Sequence, residues 1–193
     1  MEAKIYERQF HFNEIAKTAI NKDQRIEISH DCKASKTFRP DEFELANRWI
    51  EEGQAQKKNI YIAPAIRHPH IKGRADKNGV AHSGYAWADA DDRDAVDCIL
   101  ELQPPQEPSF IIQTGTVPHL RLHAYWRADL TVRQIENANK QIIDRLGTDR
   151  ACFNQDRLMR MAGTRSHPPQ SKLDRGYIEE DVVIYVNWRN NDR

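Results

Sequence analysis

Apolar residues recur at helical spacing in three stretches of this chain and alternate or cluster in five shorter ones. The first helix is predicted over residues 41–52, behind Pro40, with Phe43, Ala46, Trp49 and Ile50 as its apolar stripe. A second covers 93–102, with Ala95, Val96, Ile99 and Leu100 turned inward. The third covers 131–146 and carries its own start and stop signals. Thr131 is its N-cap, Gln134 completes a capping box, and Gly147 ends it, leaving Ile135, Ala138, Ile142 and Leu146 as the buried face. Strands are predicted over 59–66, 84–91, 109–114, 120–126 and 182–186. Pro64 puts the first of these at a sheet edge or a bulge. The third and fourth flank a turn at 115–118 and read as a hairpin, and residues 68–80 read as a polar, exposed loop. Strands and helices are mixed without a regular βαβ succession, and no Gly-rich loop follows a strand. That favours an α+β fold over a large parallel sheet.

At 193 residues the chain suits one domain, divisible into lobes of about 1–80 and 81–193 around a cleft. A mean hydropathy of −0.82 and the lack of a long apolar run predict a soluble protein without a membrane partner. Cys32, Cys98 and Cys152 form no CxxC pair, which suits a reducing, cytoplasmic compartment. The 29 basic and 29 acidic residues cancel, so the chain does not simply coat a nucleic acid. Their placement is uneven. Basic segments at 57–77 and 157–175 flank an acidic one at 88–102, as expected of a polyanion held around a metal centre, although ordinary surface patchiness gives the same pattern. The basic end from Trp188 to Arg193 offers no natural stop, which suits a catalytic domain of a longer protein.

Asp89 and Asp91 stand two apart at the end of a predicted strand, so their carboxylates share one face. Two such groups cannot both stay charged at close range without a cation between them, and pairs of this kind hold Mg²⁺ or Mn²⁺ beside phosphates. An acidic turn entering solvent is the alternative. Arg121 and His123 also share a strand face and can receive a phosphate tail, although His123 equally suits a structural histidine at a strand end. Between 146 and 172, Asp149, Arg157, Arg160 and Lys172 offer one more carboxylate and several phosphate donors. Arg67 and Lys72 fall on the predicted loop, where they can meet template or nucleotide or simply face solvent. Tyr61, Trp87, Tyr125 and Trp126 suit either base stacking or the core.

From about residue 59 to 172 the chain resembles the archaeo-eukaryotic primase superfamily, in particular the small primase-polymerase domains of plasmid, phage and other mobile-element replication proteins. The resemblance rests on three motifs in order. They are the pair Asp89/Asp91, the run Thr114-Gly115 leading to Arg121, His123, Tyr125 and Trp126, and Asp149 followed by Arg160, Gly163, Thr164 and Lys172. Asp149, eleven residues before Arg160, fits the pattern better than Asp144 or Asp156. Ala162 replaces the usual proline before Gly163, the asparagine common after the Gly-Thr pair is absent, and the turn before His123 is longer than the compact form.

The resemblance implies a palm of RRM type with a small N-terminal lobe. It implies DNA primase or DNA polymerase activity on NTPs or dNTPs over a single-stranded DNA template, with a helicase or helical accessory domain as a further partner. Asp89, Asp91 and Asp149 would hold two Mg²⁺ or Mn²⁺ ions. Arg121 and His123 would bind the β and γ phosphates, Arg160 and Lys172 would neutralise the leaving group, and Arg67 would contact nucleotide. The rivals are a non-catalytic initiator that binds single-stranded DNA and a metal-dependent nuclease. Anions near DNA are of no use to the first, and a triphosphate pocket is of no use to the second.

Overall fold

The computed structural model describes residues 2–186, so Trp188 to Arg193 lie outside the described residues. The elements run α1 (Glu2–Ala16), β1 (Ile26–His30), β2 (Ala34–Phe38), α2 (Phe43–Ala55), β3 (Ile60–Ile62), β4 (Ile66–Arg67), β5 (Val80–Ala90), α3 (Arg93–Leu100), β6 (Phe110–Gly115), β7 (Arg121–Thr131), α4 (Val132–Leu146), β8 (Met159–Arg160), β9 (Thr164–Ser166), α5 (Gln170–Leu173) and β10 (Glu180–Tyr185). Two antiparallel sheets result, in the orders β2-β1-β3-β8 and β4-β5-β7-β6-β10-β9. The α+β class with antiparallel sheets and flanking helices is the one the hydrophobic pattern predicts. Among the described residues no helix is long and apolar enough to cross a membrane.

The predicted hairpin is β6–β7, with Ile112 opposite His123 and Gly115 opposite Arg121. Alternation along β7 sends Leu122 and Ala124 to a core shared with Ala90, Val96, Ile99 and Leu146. Tyr125 faces the other core, with Tyr85, Trp87, Phe110 and the α1 residues Phe12 and Ile15. Trp87 is fully buried there, which removes it from any base-stacking role.

Two expectations change, the single strand over 59–66 and the buried face of α4. The run 59–66 is not one strand, because it breaks at Pro64 and its two halves, β3 and β4, join different sheets. Both sheets draw strands from either side of residue 80, with β4 paired to β5 and β8 to β3. The inner face of α4 is Ile135, Asn139, Ile143 and Leu146, rotated from the predicted stripe. The rotation lets the buried Asn139 finish the edge of β5. Its Oδ1 accepts from the Trp87 N–H at 3.0 Å, and its Nδ2 donates to the Phe153 carbonyl at 3.3 Å.

Arg67 is also corrected. It lies in β4, wholly buried, with its Nε donating to Glu27 Oε2 at 2.9 Å. Glu27 on β1 further accepts from Ser35 Oγ at 2.8 Å and from Arg74 Nη1 at 3.4 Å. A buried guanidinium needs such a network, and this one leaves no surface for a nucleotide to touch.

The Gly163-Thr164 turn is where α1 docks. Arg8 Nε donates to the Gly163 carbonyl at 2.8 Å, and the Gly163 N–H donates to the Val182 carbonyl at 2.7 Å. Gly163 has φ +72°, and a Cβ there would overlap the Lys4 carbonyl oxygen. Both the backbone conformation and the contact exclude a side chain. Gly163→Ala is therefore expected to destabilise by about 3 kcal/mol, read as a lower urea midpoint. An unchanged midpoint would show that α1 does not seat against this turn.

Candidate active site

The site forms where the end of β5 meets β7 and the two sheets approach each other. A cleft of about 430 Å³ opens there, and its walls include Asp89, Asp91, Arg121, His123, Arg160 and Lys172. The structure thus brings together six of the eight residues to which the resemblance gives a role, with Tyr61 and Arg157 beside them. Arg67 is held away in its buried pair. Asp149 is adjacent to the cleft rather than in its lining.

Asp89 is on β5, and Asp91 follows the last residue of that strand. Asp92, next along, has a different task, since its carboxylate accepts from the Ala95 N–H at 2.8 Å and caps α3. The acidic run therefore divides into two cleft residues and one cap. Asp89 lies opposite His123 in the β5–β7 register, with its Oδ1 3.6 Å from His123 Nε2. That oxygen is buried and has no hydrogen-bond partner among the described residues. Burial first, and the Asp91 charge second, push the Asp89 carboxyl up to about 7, with Arg157 opposing. Burial also holds the His123 imidazole well below its ordinary pKa, so it is neutral.

A carboxylate with a buried, unpartnered oxygen beside a second carboxylate fits a divalent cation, which would satisfy both. Asp89 and Asp91 are the residues that could hold it. Asp149 is fastened near them by the backbone, since its N–H donates to the Asp89 carbonyl at 2.8 Å along the free edge of β5. Its carboxylate is turned to Arg157 Nη2 at 3.3 Å. Among the described residues no three ligating side chains stand close enough to hold an ion together.

The basic wall is built from several elements. Arg160 on β8 donates to Asn59 Oδ1 at 2.7 Å and lies 5.4 Å from the Tyr61 ring. Arg121 donates to the Val117 carbonyl at 2.9 Å and pairs with Glu180 at 3.3 Å. Gly115 makes this possible, because a Cβ at that position would overlap the Arg121 guanidinium. Tyr177 and Arg74 complete this side of the cleft. Sequence reasoning missed Tyr177 and Glu180, and spacing carried no signal for them. Arg157 was noted among the basic residues. Its position against Asp149 was not.

The arrangement defines a class. The chain has an archaeo-eukaryotic primase-type fold, with paired carboxylates facing a cationic wall. It is similar to the primase-polymerase domain of cyanophage S-2L, with 22% identity and a TM-score of 0.56 over 84% of this chain and 80% of that one. It is similar to the primase RepB′, with 18% identity and a TM-score of 0.58 over 92% of this chain, and it spans 56% of that longer protein. The catalytic domain of RepB′ in complex with initiator DNA gives 17% identity and a TM-score of 0.55, over 92% of this chain and 84% of that one. No family model matches the chain, and no curated protein matches it in sequence.

Proposed function

We propose that this chain performs template-directed nucleotidyl transfer, as a DNA primase, a DNA polymerase or both, with NTPs or dNTPs as substrates. The observation that carries the reading is the half-buried Asp89 carboxylate beside Asp91, its Oδ1 buried without a hydrogen-bond partner among the described residues, facing Arg121, Arg160 and Lys172 across one cleft. The carboxylates call for a cation and the arginines call for a polyanion, and a metal–triphosphate complex satisfies both. The printed descriptions of the structural neighbours, a primase-polymerase and a primase with initiator DNA, support the same reading.

Asp89 and Asp91 would hold Mg²⁺ or Mn²⁺, and a second ion would call on Asp149. Such ions, when bound, make a 3′-hydroxyl more acidic and balance the charge of a triphosphate. Arg121 and Lys172 bind the phosphate tail, and Arg160 stabilises charge on the departing pyrophosphate. His123, kept neutral by burial, can donate toward Asp89 or a phosphate oxygen without adding charge. Single-stranded DNA is the template partner, and a helicase or helical accessory domain would supply strand opening.

The test supplies single-stranded DNA, labelled nucleotides and Mn²⁺ or Mg²⁺, with and without an annealed primer. Metal-dependent products are expected, and Asp91→Ala should reduce them by roughly 10²-fold. Products without primer establish priming. DNA bound equally by both proteins with no extension by either would overturn the reading in favour of a binding module.

A further inference from the structure

The cations of this protein are held in two different ways. Arg67 is paired with Glu27, Arg74 with Glu27 and Asp156, and Arg165 with Glu179 and Asp181. In each case a carboxylate both fixes the guanidinium and cancels its charge. Around Tyr177 an aromatic ring shares the fixing, with Glu180 and the Val117 carbonyl also holding Arg121. The Arg121 guanidinium lies 4.4 Å from the ring centroid, Lys172 Nζ 5.2 Å and the Arg175 guanidinium 5.3 Å. Of these three, Glu180 pairs with Arg121 alone. A ring face attracts a cation through its quadrupole and carries no net charge, so it positions the group and leaves its positive charge available.

Glu180 offsets the Arg121 charge, while those of Lys172 and Arg175 add up beside it, and a bound anion removes the cost of holding them together. The local fold commits the chain to this cluster. Gly176 at φ +85° reverses the chain after α5, and the Tyr177 N–H then donates to the Lys172 carbonyl at 3.2 Å. That closure returns the ring beneath the basic residues of its own turn. Tyr177, Lys172 and Arg121 all line the cleft that contains Asp89 and Asp91.

We infer that Tyr177 is a positioning residue that gathers Arg121, Lys172 and Arg175 into a site for a linear polyphosphate, the tail of the incoming nucleotide. The inference rests on the nucleotidyl-transfer reading and deepens it by naming what holds the tail. A cluster on a single ring matches the concentrated charge of a triphosphate. A DNA backbone spreads its charge along the strand and is matched by a stripe of cations.

The test is calorimetric titration with inorganic tripolyphosphate, and separately with a single-stranded oligonucleotide, followed by nucleotide KM in primer extension. Tyr177→Leu is expected to weaken tripolyphosphate binding about tenfold and to raise nucleotide KM with little change in kcat, leaving oligonucleotide affinity at the wild-type value. Tyr177→Phe, which keeps the ring, should retain binding. Arg175→Gln, a substitution at an exposed side chain that does not threaten folding, should weaken tripolyphosphate binding several-fold. Unchanged tripolyphosphate affinity in Tyr177→Leu and Arg175→Gln, or an equal loss of oligonucleotide binding, overturns the inference. If tripolyphosphate binding depends on the ring in a protein that never extends a primer, the platform stands and the polymerase reading falls. Normal extension with unaltered KM in Tyr177→Leu means the reverse.

Discussion

Asp89→Asn is expected to lower metal-dependent nucleotide incorporation by roughly 10³-fold and, in the absence of metal, to make the protein more stable. The two effects have one cause. Asp89 is half-buried beside Asp91 and its buried Oδ1 has no hydrogen-bond partner among the described residues, so its charged form is penalised unless a cation is present. Its carboxyl is raised from 3.8 to about 7 in the folded chain. A raised pKa means that the folded state keeps a proton that the unfolded chain releases. The contribution to stability is therefore fully present below pH 4 and is lost as pH rises through 7. At pH 8 the penalty has an upper limit on the order of 4 kcal/mol, and asparagine removes it. Urea midpoints with a chelator present should fall with pH for the wild type and stay flatter for the variant. Mn²⁺ should then raise the wild-type midpoint and leave that of Asp89→Asn unmoved. A variant that is less stable at pH 8, or that still incorporates nucleotide, would refute the cation-holding role.

Arg67→Met is expected to cost about 3–5 kcal/mol of stability without raising the nucleotide KM of the folded protein. Arg67 and Glu27 are both fully buried at 2.9 Å, so removing the guanidinium leaves a carboxylate in the interior with only partial compensation from Ser35 and Arg74. The double variant Arg67→Met with Glu27→Gln should recover much of the loss, with a coupling of about 2 kcal/mol. Thermal or urea denaturation of the four proteins reads the cycle. An increase in KM at unchanged stability would return Arg67 to the nucleotide site.

The same pair shows where sequence reasoning stopped. A lone arginine in a polar-looking stretch suggests solvent or ligand, because its partner Glu27 is forty residues away. β1 misleads in a similar way, since Ile26, Glu27, Ile28 and Ser29 alternate as in a strand with one solvated face, yet all five of its residues are buried. α1 was hidden for a related reason. Its buried face includes Arg8 and His11 between apolar positions, which breaks the stripe that marks a helix. The imidazole of His11 accepts from the Ala162 N–H at 3.3 Å, a bond that pairs residues 151 positions apart. The α4 helix was recognisable from its cap, its Gly stop and its stripe, yet its true rotation depends on Asn139 reaching Trp87.

The sequence alone determined what short-range physics encodes. The two-residue period places Arg121 and His123 on one face, and the capping signals set the start and end of α4. The three ordered motifs that resemble the primase superfamily imply a shared site for Asp89, Asp91, Arg160 and Lys172, and the fold is what lines one cleft with them. Tertiary structure decided which charges are spent on stability and which are left for chemistry. Arg67 is cancelled by Glu27, Asp149 is turned toward Arg157, and the ring of Tyr177 lies by Lys172 and Arg175, which no carboxylate pairs among the described residues. The reason is physical. A side chain's charge is available only relative to what faces it, and in this fold the facing groups come from distant parts of the chain.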